Sequence, residues 1–438
     1  MKTIRILVVN GFSSGMMIVG EAKRLGYECY HLATALEGMP EAYLRHNMAS
    51  GYDGILEWKD SFEEQVKQCR SYRFDAVIPG SESGVIFAEK LADALSLPCN
   101  DASLSLARRD KYYMQKQLEE ADIPCIKSAL VKSPQEAVDW YRANHMSGIV
   151  MKPRMDAGGL GFHLCNTEDE IRQAFAELFG RKSCFGEEIK TSDVLIQEVV
   201  SGTELVMNHV SHNGVHELTD AWIYDKQGAI YNHFELVTEL SPVLCDVAKY
   251  TQKALNALGI KYGPSHSEIM LTEKGPVLIE TGARLMGELM PRELIQRIFG
   301  YSIVEKSIQA YLRPVNSEEK LHSGYKFSDE KYYIMMMRSY RDERISEVPA
   351  EDLFLKCPNV VNIRLDELKE SLTLQETTNM VNSPGVFGLI GKNADELAEW
   401  IRLYRMIERE HPHILFRPTD GCSLTNEELQ LTQRLIDL

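Results

Sequence analysis

The sequence lacks the features of a secreted or membrane-spanning protein. Its nine cysteines are scattered, and none of them form a C-x-x-C pair. An odd number of dispersed cysteines indicates reduced thiols and not a disulfide framework. The apolar run at residues 6–9 is too short for a signal peptide, and no stretch of about 18 apolar residues is present to form a transmembrane helix. We therefore expect a cytoplasmic protein with no membrane partner.

Positive charge is also scarce. The chain has 48 Lys and Arg residues against 64 Asp and Glu residues, so its formal net charge is −16. Such an acidic protein has no basic field to displace counterions from phosphates, which argues against nucleic acid as a partner. The remaining composition, 44% hydrophobic and 26% charged, is that of a globular protein. The length of 438 residues predicts several structural domains, and we expect small-molecule partners.

The N-terminal region alternates strands and helices. Residues 4–32 have the pattern of a strand, a Gly/Ser loop, a helix and a second strand, and residues 75–95 repeat the order of strand, Gly/Ser loop and helix. This alternation predicts parallel strands in a doubly wound sheet. Ligands of such sheets bind at the carboxyl ends of the strands, which is where both Gly/Ser loops lie.

Two lysines lie in segments that suit phosphate binding. Residues 101–121 predict one continuous charged helix that contains Lys111, and residues 148–152 predict a strand that ends at Lys152. Three glycines follow this strand within four residues, at Gly158, Gly159 and Gly161. Such a loop exposes backbone N–H groups that can cradle phosphate oxygens. The alternative is an ordinary glycine hairpin beside a surface lysine.

The stretch at residues 263–287 carries a pair of carboxylates. It predicts two strands joined by a turn at residues 273–276, with Glu268 on the first strand and Glu280 at the end of the second. An antiparallel pairing brings the two glutamates together, and they repel each other unless a cation lies between them. Oxygen ligands suit Mg²⁺, and Arg284 adds positive charge nearby. The alternative is a surface hairpin with two solvated glutamates.

The sequence resembles the ATP-grasp superfamily of carboxylate–amine ligases over roughly residues 1–315. The resemblance rests on an ordered set of residues: Lys111, Lys152 with its glycine loop, Glu198 followed by Gly202-Thr203-Glu204, and the Glu268/Glu280 pair with Arg284. The resemblance implies an α/β fold (α+β overall), with an N-terminal Rossmann-like domain, two ATP-grasp lobes and a C-terminal α+β subdomain. The implied domains are residues 1–103, 104–190, 191–315 and 316–438. By analogy, it also suggests a homodimer.

The resemblance assigns roles residue by residue, with ATP and Mg²⁺ (or Mn²⁺) as cofactors. The residues assigned to contact the ATP phosphates are Lys111, Lys152, Gly158, Gly159 and Gly161. Glu198, Val199 and Val200 are assigned to bind the adenine ring, and Glu204 is assigned to bind the ribose. The metal ligands are Glu268 and Glu280, and Arg284 faces the transferred phosphate or the carboxylate. One position departs from the pattern, because Gly282 stands where many members carry an Asn as a third metal ligand.

Three loops point to a subgroup within the superfamily. The segments GFSSG, PGSESG and GPSHSE resemble those of the L-amino acid ligases that make dipeptides. By this resemblance Glu82, His266 and Arg284 lie near the substrate, and Arg284, His266 and Lys152 are catalytic. The alternatives are that Glu82 caps a helix and that His266 is a packed residue of the hairpin.

The implied activity is the ATP-dependent joining of a carboxylate, expected to be an L-amino acid, to an amine. The reaction passes through an acyl phosphate and releases ADP and phosphate. One alternative is an ATP-grasp ligase that acts on a different acid or amine in natural-product or cofactor assembly. Another is a protein that binds nucleotide without catalysis, which the retained Lys, Glu and Arg set argues against.

Overall fold

The computed structural model describes residues 3–34, 50–156, 158–181, 193–287, 290–313, 329–421 and 423–438. The chain divides into two compact units. The first comprises Met1–Asp156, Gly161–Ala221 and Leu240–Lys326, and the second comprises Ala157–Leu160, Trp222–Glu239 and Phe327–Leu438. The four domains expected from the sequence remain a prediction, and their boundaries near residues 190 and 315 lie outside the described residues.

The first unit begins with a parallel sheet of four strands. The strands are β1 (Arg5–Val9), β2 (Glu28–Leu32), β3 (Gly54–Leu56) and β4 (Ala76–Pro79), and the helices between and after them are α1 (Met16–Arg24), α2 (Phe62–Tyr72) and α3 (Val85–Ala94). The strand order is β3-β2-β1-β4, with every neighbouring pair parallel. The inner strand β1 is apolar and buried from residue 6 to residue 9, as expected of a strand covered on both faces. The expected doubly wound sheet is therefore confirmed.

A second sheet of four strands is antiparallel. Its strands and the helices of this part of the chain are α4 (Lys111–Glu120), β5 (Ser128–Val131), α5 (Pro134–Ala143), β6 (Ile149–Lys152), β7 (His163–Cys165), α6 (Glu168–Leu178) and β8 (Val194–Glu198). The strand order is β5-β8-β6-β7. Helix α6 begins at a capping box, in which Thr167 and Glu170 satisfy each other's backbone N–H groups. Its apolar residues pack with those of α5 on the sheet.

Long antiparallel strands complete the first unit. The elements that follow along the chain are β9 (Thr203–His212), β10 (Val215–Gln227), β11 (Ile230–Leu236), α7 (Pro242–Ala257), β12 (Gly263–Thr272), β13 (Gly275–Gly282), α8 (Arg292–Phe299) and α9 (Ile303–Leu312). Of these, β11 and the end of β10 belong to the second unit. In the first unit the strand order is β13-β12-β9-β10. The predicted hairpin at residues 263–287 is thus present, and it pairs through β12 with β9.

The second unit is a sheet packed against helices. Its further elements are β14 (Lys331–Met336), β15 (Glu343–Glu347), α10 (Ala350–Phe354), β16 (Val360–Arg364), α11 (Asp366–Ser371), β17 (Thr373–Leu374), β18 (Val386–Gly391), α12 (Ala394–Glu410), β19 (Arg417–Pro418) and α13 (Asn426–Asp437). The end of β10 leads into the order β11-β14-β18-β16, and β17-β15-β19 form a small separate sheet. The core centres on Phe354, Phe387, Trp400 and Tyr404. Across the described residues, no helix is both long and apolar enough to span a membrane.

Candidate active site

The β12–β13 hairpin places its two glutamates directly opposite each other. The pairing runs regularly from the turn as far as Ile269 and Leu278, and the register then shifts so that Glu268 pairs with Glu280. Ile279 is the extra residue of this β-bulge. Without the bulge, Glu268 would oppose Ile279 and Glu280 would face the other side of the sheet. The bulge is therefore what puts both carboxylates on one face.

Lys111 reaches one of these carboxylates, that of Glu280, from helix α4. Its Nζ lies 2.8 Å from Oε2 of Glu280 and also donates to the backbone carbonyl of Asp156 at 2.6 Å. The backbone N–H of Lys111 bonds to the carbonyl of Arg154. Gln115, one turn further along α4, donates to the carbonyl of Leu278 on β13 at 2.8 Å. These bonds hold the start of the helix against the hairpin.

The expectation of one helix over residues 101–121 was wrong. A 3₁₀ helix covers Ala102–Arg108, and α4 begins only at Lys111. Asp110 between them has an extended backbone, and its carboxylate accepts from the N–H of Tyr112 at 2.9 Å. Asp is a strong N-cap because its side chain satisfies donors that the first turn leaves free. The break places Lys111 in the first turn of α4.

Glu280 lies in a strongly positive environment. Burial disfavours its ionised form, but Lys111 and Lys152, together with Arg284, outweigh the burial and hold the pKa of this carboxyl well below its usual range. Lys152 is the last residue of β6, so a strand end and a helix start supply the two lysines. The structure therefore brings together Glu280, Lys111, Lys152 and Arg284, four predicted site residues from three separate segments of the chain.

The carboxylate pair fits a divalent cation by its donor chemistry. Glu268 and Glu280 are cross-strand partners on one face, and carboxylate oxygens are the ligands that Mg²⁺ prefers. Within the described ranges, no group of three or more His, Cys, Asp and Glu side chains is arranged to hold a metal ion. A metal at this site would therefore have these two glutamates as its protein carboxylate ligands.

Glu82 is clamped between two arginines. Its Oε1 accepts from Nη1 of Arg109 at 2.6 Å, and its Oε2 accepts from Nε of Arg284 at 2.6 Å. Burial would raise the pKa of Glu82, but Arg284 and Arg109 outweigh it and hold the pKa below its usual range. The field of Glu280 also acts on Glu82, so the clamp lies beside the carboxylate pair.

His266 lies on the same face of the sheet as Glu268, with Nε2 3.6 Å from Oε1 of that glutamate. Its Nδ1 bonds to Oδ1 of Asn208 at 2.9 Å, and the amide nitrogen of Asn208 donates to Asp220. Because the amide oxygen of Asn208 can only accept, Nδ1 of His266 carries a proton. The ring is thus oriented with Nε2 toward Glu268.

Of the residues expected at the nucleotide base and ribose, the ribose residue lies on the face of Glu268 and the base residues lie at the end of another strand. Glu204 pairs with Met270, in the regular β9–β12 register that also pairs His266 with Asn208, so it shares the face of Glu268. Glu198 ends β8, and its carboxylate accepts from the backbone N–H of Lys127 at 2.8 Å. Val199 and Val200 follow it outside the strand. The roles of these residues remain predictions.

The glycine loop has the backbone conformation that requires glycine. Gly158, Gly159 and Gly161 all have φ near +70°, which residues with a Cβ rarely adopt. Residues 158–160 belong to the second unit, and Gly161 belongs to the first. In the second unit, a Cβ on Gly159 would lie 2.9 Å from the Cβ of Ala229. The phosphate-binding role of the loop remains a prediction.

Three residues of the site were missed by the sequence analysis. Arg109 belongs to a charged run, Arg108-Arg109-Asp110-Lys111, in which nothing distinguishes one arginine from the other. Asp220 is buried in β10, and a buried charge needs a partner, but the other polar residues of that strand keep it from standing out in the sequence. The third residue, its partner Asn208, becomes visible only when β9 and β12 are paired.

Comparisons with known proteins agree on one family. Residues 146–292 match the model of an ATP-grasp domain. The chain is 30% identical over 418 residues to dapdiamide A synthase from Enterobacter agglomerans, which covers 93% of this chain and 97% of that protein.

Solved structures show the same fold at low sequence identity. The L-amino acid ligase from Bacillus licheniformis matches with a TM-score of 0.71 and 16% identity, covering 92% of this chain and 97% of that one. N5-carboxyaminoimidazole synthetase from Staphylococcus aureus, in complex with ADP, matches with a TM-score of 0.66 and 13% identity over 92% and 97% of the two chains. The expected fold, with its N-terminal Rossmann-like sheet, is confirmed.

Proposed function

Since the chain belongs to the ATP-grasp superfamily of carboxylate–amine ligases, we propose that it joins the carboxyl group of an L-amino acid to the amino group of a second substrate, with ATP as the energy source. The observation that carries this proposal is the cluster of Glu268, Glu280, Lys111 and Lys152 on one side of the hairpin. Positive side chains around two carboxylates suit phosphoryl transfer, which depends on charge neutralisation and alignment.

In the proposed first step, a carboxylate oxygen of the first substrate attacks the γ-phosphorus of ATP. The bond from that phosphorus to the β,γ-bridging oxygen breaks, and an acyl phosphate and ADP result. Lys111, Lys152 and Arg284 neutralise the charge on the transferred group. A magnesium ion held by Glu268 and Glu280 would supply further charge neutralisation.

In the proposed second step, an amine attacks the carbonyl carbon of the acyl phosphate. The bond between that carbon and the phosphate oxygen breaks, an amide forms, and phosphate leaves. The attacking nitrogen, neutral when it attacks, loses one proton, which the departing phosphate takes up. Glu82 and His266 are assigned to positioning the substrates, since both lie beside the carboxylate pair. Water must be kept from the acyl phosphate, a role that we assign to the glycine loop.

The experiment that tests the proposal is a screen of amino-acid pairs for ADP and phosphate release. We expect at least one pair to produce ADP, phosphate and an equal amount of an amide product. Glu280→Ala should then abolish ADP release while the protein remains folded. The matched control is Glu273→Ala, in the exposed turn of the same hairpin, which should retain activity. Full activity of Glu280→Ala would remove the metal assignment.

If no amino-acid pair released ADP, a ligase for another acid or amine would be favoured. The same assay with a wider set of acids and amines would then identify its substrates. Binding of ATP without ADP production under any substrate would instead support a protein that binds nucleotide without catalysis.

A further inference from the structure

Gly282 leaves a space that another residue fills. It follows Glu280 by two positions on β13, and a Cβ at this position would lie 2.6 Å from Oε2 of Glu82. Glu82 is the first residue of a short 3₁₀ helix after β4, far away in the sequence. The space next to the carboxylate pair that a side chain at position 282 would take is therefore occupied by the carboxylate of Glu82.

The charge of Glu82 is already balanced. One of its oxygens accepts from Arg109 and the other accepts from Arg284, both at 2.6 Å. Charge-assisted bonds of this kind are about twice as strong as neutral ones. The clamp as a whole carries more positive than negative charge, because two guanidinium groups surround one carboxylate. It therefore repels a cation on the side of the site where Gly282 lies.

Glu268 and Glu280 are left as the carboxylates available to a metal. No cluster of three or more potential ligands of the His, Cys, Asp and Glu types exists among the described residues, and Gly282 contributes no side-chain oxygen. Two carboxylates and substrate phosphates are a common set for one Mg²⁺. A second protein-held ion has neither a ligand nor a favourable field at this site.

We propose that this site holds a single divalent ion, between Glu268 and Glu280, and that Arg109 and Arg284 supply the positive charge that a second ion would supply elsewhere. Glu82, in the space left by Gly282, positions both guanidinium groups. This inference rests on the proposed function, since it presupposes that nucleotide phosphates bind here. It assigns Arg109 a role that no feature of the sequence indicated.

The test is to count Mn²⁺ ions by electron paramagnetic resonance. The purified full chain, saturated with the β,γ-imido analogue of ATP, is titrated with Mn²⁺, and bound ions per chain are measured. We expect one bound ion in the unaltered protein and two in Gly282→Asn, because the asparagine adds an amide oxygen and displaces Glu82. Gly282→Ala, which fills the space without adding a ligand, should still bind one.

The outcomes separate this inference from the proposed function. Two coupled Mn²⁺ ions in the unaltered protein would overturn the single-ion proposal and leave the ligase proposal intact. Absence of any analogue-dependent Mn²⁺ binding would overturn both. The count in the unaltered protein decides the question even if Gly282→Asn does not fold. An unchanged count of one in a folded Gly282→Asn would show that position 282 does not control metal number, which would also contradict the inference.

Discussion

Two buried carboxylate–arginine clusters lie in the first unit, and they begin at adjacent residues. Arg108 pairs with Glu89, while Arg109 pairs with Glu82. Arg108 donates to both oxygens of Glu89 and to the carbonyl of Leu258, and Asn100 and Ser105 donate to Glu89 as well.

The Glu82 cluster uses the same chemistry next to the candidate active site. Its arginines come from different parts of the chain, it is partly open to solvent, and the field of Glu280 reaches it. Arg108 is fully buried, at 0% exposure, and no charged site residue is bonded to it. The difference shows that a buried ion pair by itself does not indicate function. The two clusters differ in their surroundings, since the Glu82 cluster adjoins the carboxylates of the candidate site.

The largest effect is expected from breaking the structural cluster. Arg108→Met leaves the charge of Glu89 buried without a counterion, so we expect a loss of about 3–5 kcal/mol in the free energy of unfolding. Urea denaturation measures it. The double variant Arg108→Met/Glu89→Leu should be less destabilised than the single variant, because no uncompensated charge remains. If Arg108→Met were as stable as the unaltered protein, the structural role assigned to the Glu89 cluster would be contradicted.

Arg109→Met should separate activity from stability. Glu82 keeps Arg284 as a partner, so we expect a smaller loss of stability than for Arg108→Met. The rate of ADP formation should fall about a hundredfold, the usual cost of removing one electrostatic contact in an active site. Steady-state kcat/KM measures this effect. Arg70→Met, on helix α2, is the control and should retain activity. If Arg108→Met and Arg109→Met lost the same free energy of unfolding, the difference between the two clusters would be contradicted.

His209 is buried and has no counterion within the part of the chain that the structure describes. It extends the comparison to acid pH. Burial, and next the neighbouring His216, lower the pKa of His209 to about 3. The unfolded state binds a proton below about pH 6.5, whereas the folded state does not, so stability falls as the pH drops from about 6.5 toward 3. At pH 5 this amounts to about 2 kcal/mol.

His209→Asn should therefore reduce the difference in unfolding free energy between pH 8 and pH 5 by about 2 kcal/mol. Urea denaturation at the two pH values is the measurement. His145→Asn is the matched control, since its side chain is exposed to water, and it should leave the difference unchanged. A slope that His209→Asn does not alter would mean that this histidine takes up a proton in the folded protein.

The smallest effect concerns a single bond to Glu89. Ser105→Ala removes a hydroxyl that donates to the buried carboxylate at 2.5 Å, and we expect a loss of about 1.5 kcal/mol in the free energy of unfolding. Ser103→Ala, in the same 3₁₀ helix but exposed, should change stability by less than about 0.5 kcal/mol. Activity should not change in either variant. A lowered kcat in Ser105→Ala would link the structural cluster to the site.

The sequence by itself determined the features that depend on local patterns. The order of strands and helices in the N-terminal sheet, the turn of the β12–β13 hairpin and the glycines of the loop could all be predicted, because backbone preferences and the two-residue period of a strand act between near neighbours. The ordered set of Lys, Glu and Arg residues was enough to indicate the family.

Only the tertiary structure decided which of these residues meet. The bulge at Ile279 puts Glu280 on the face of Glu268, and no residue type in the hairpin marks it. Arg284 meets Glu82 across 202 positions of sequence, and the choice between Arg108 and Arg109 depends on where a 3₁₀ helix ends. Such contacts are set by the packing of distant elements, and packing leaves no period in the sequence. The space at Gly282 exists for the same reason, because its boundary belongs to a side chain from another part of the chain.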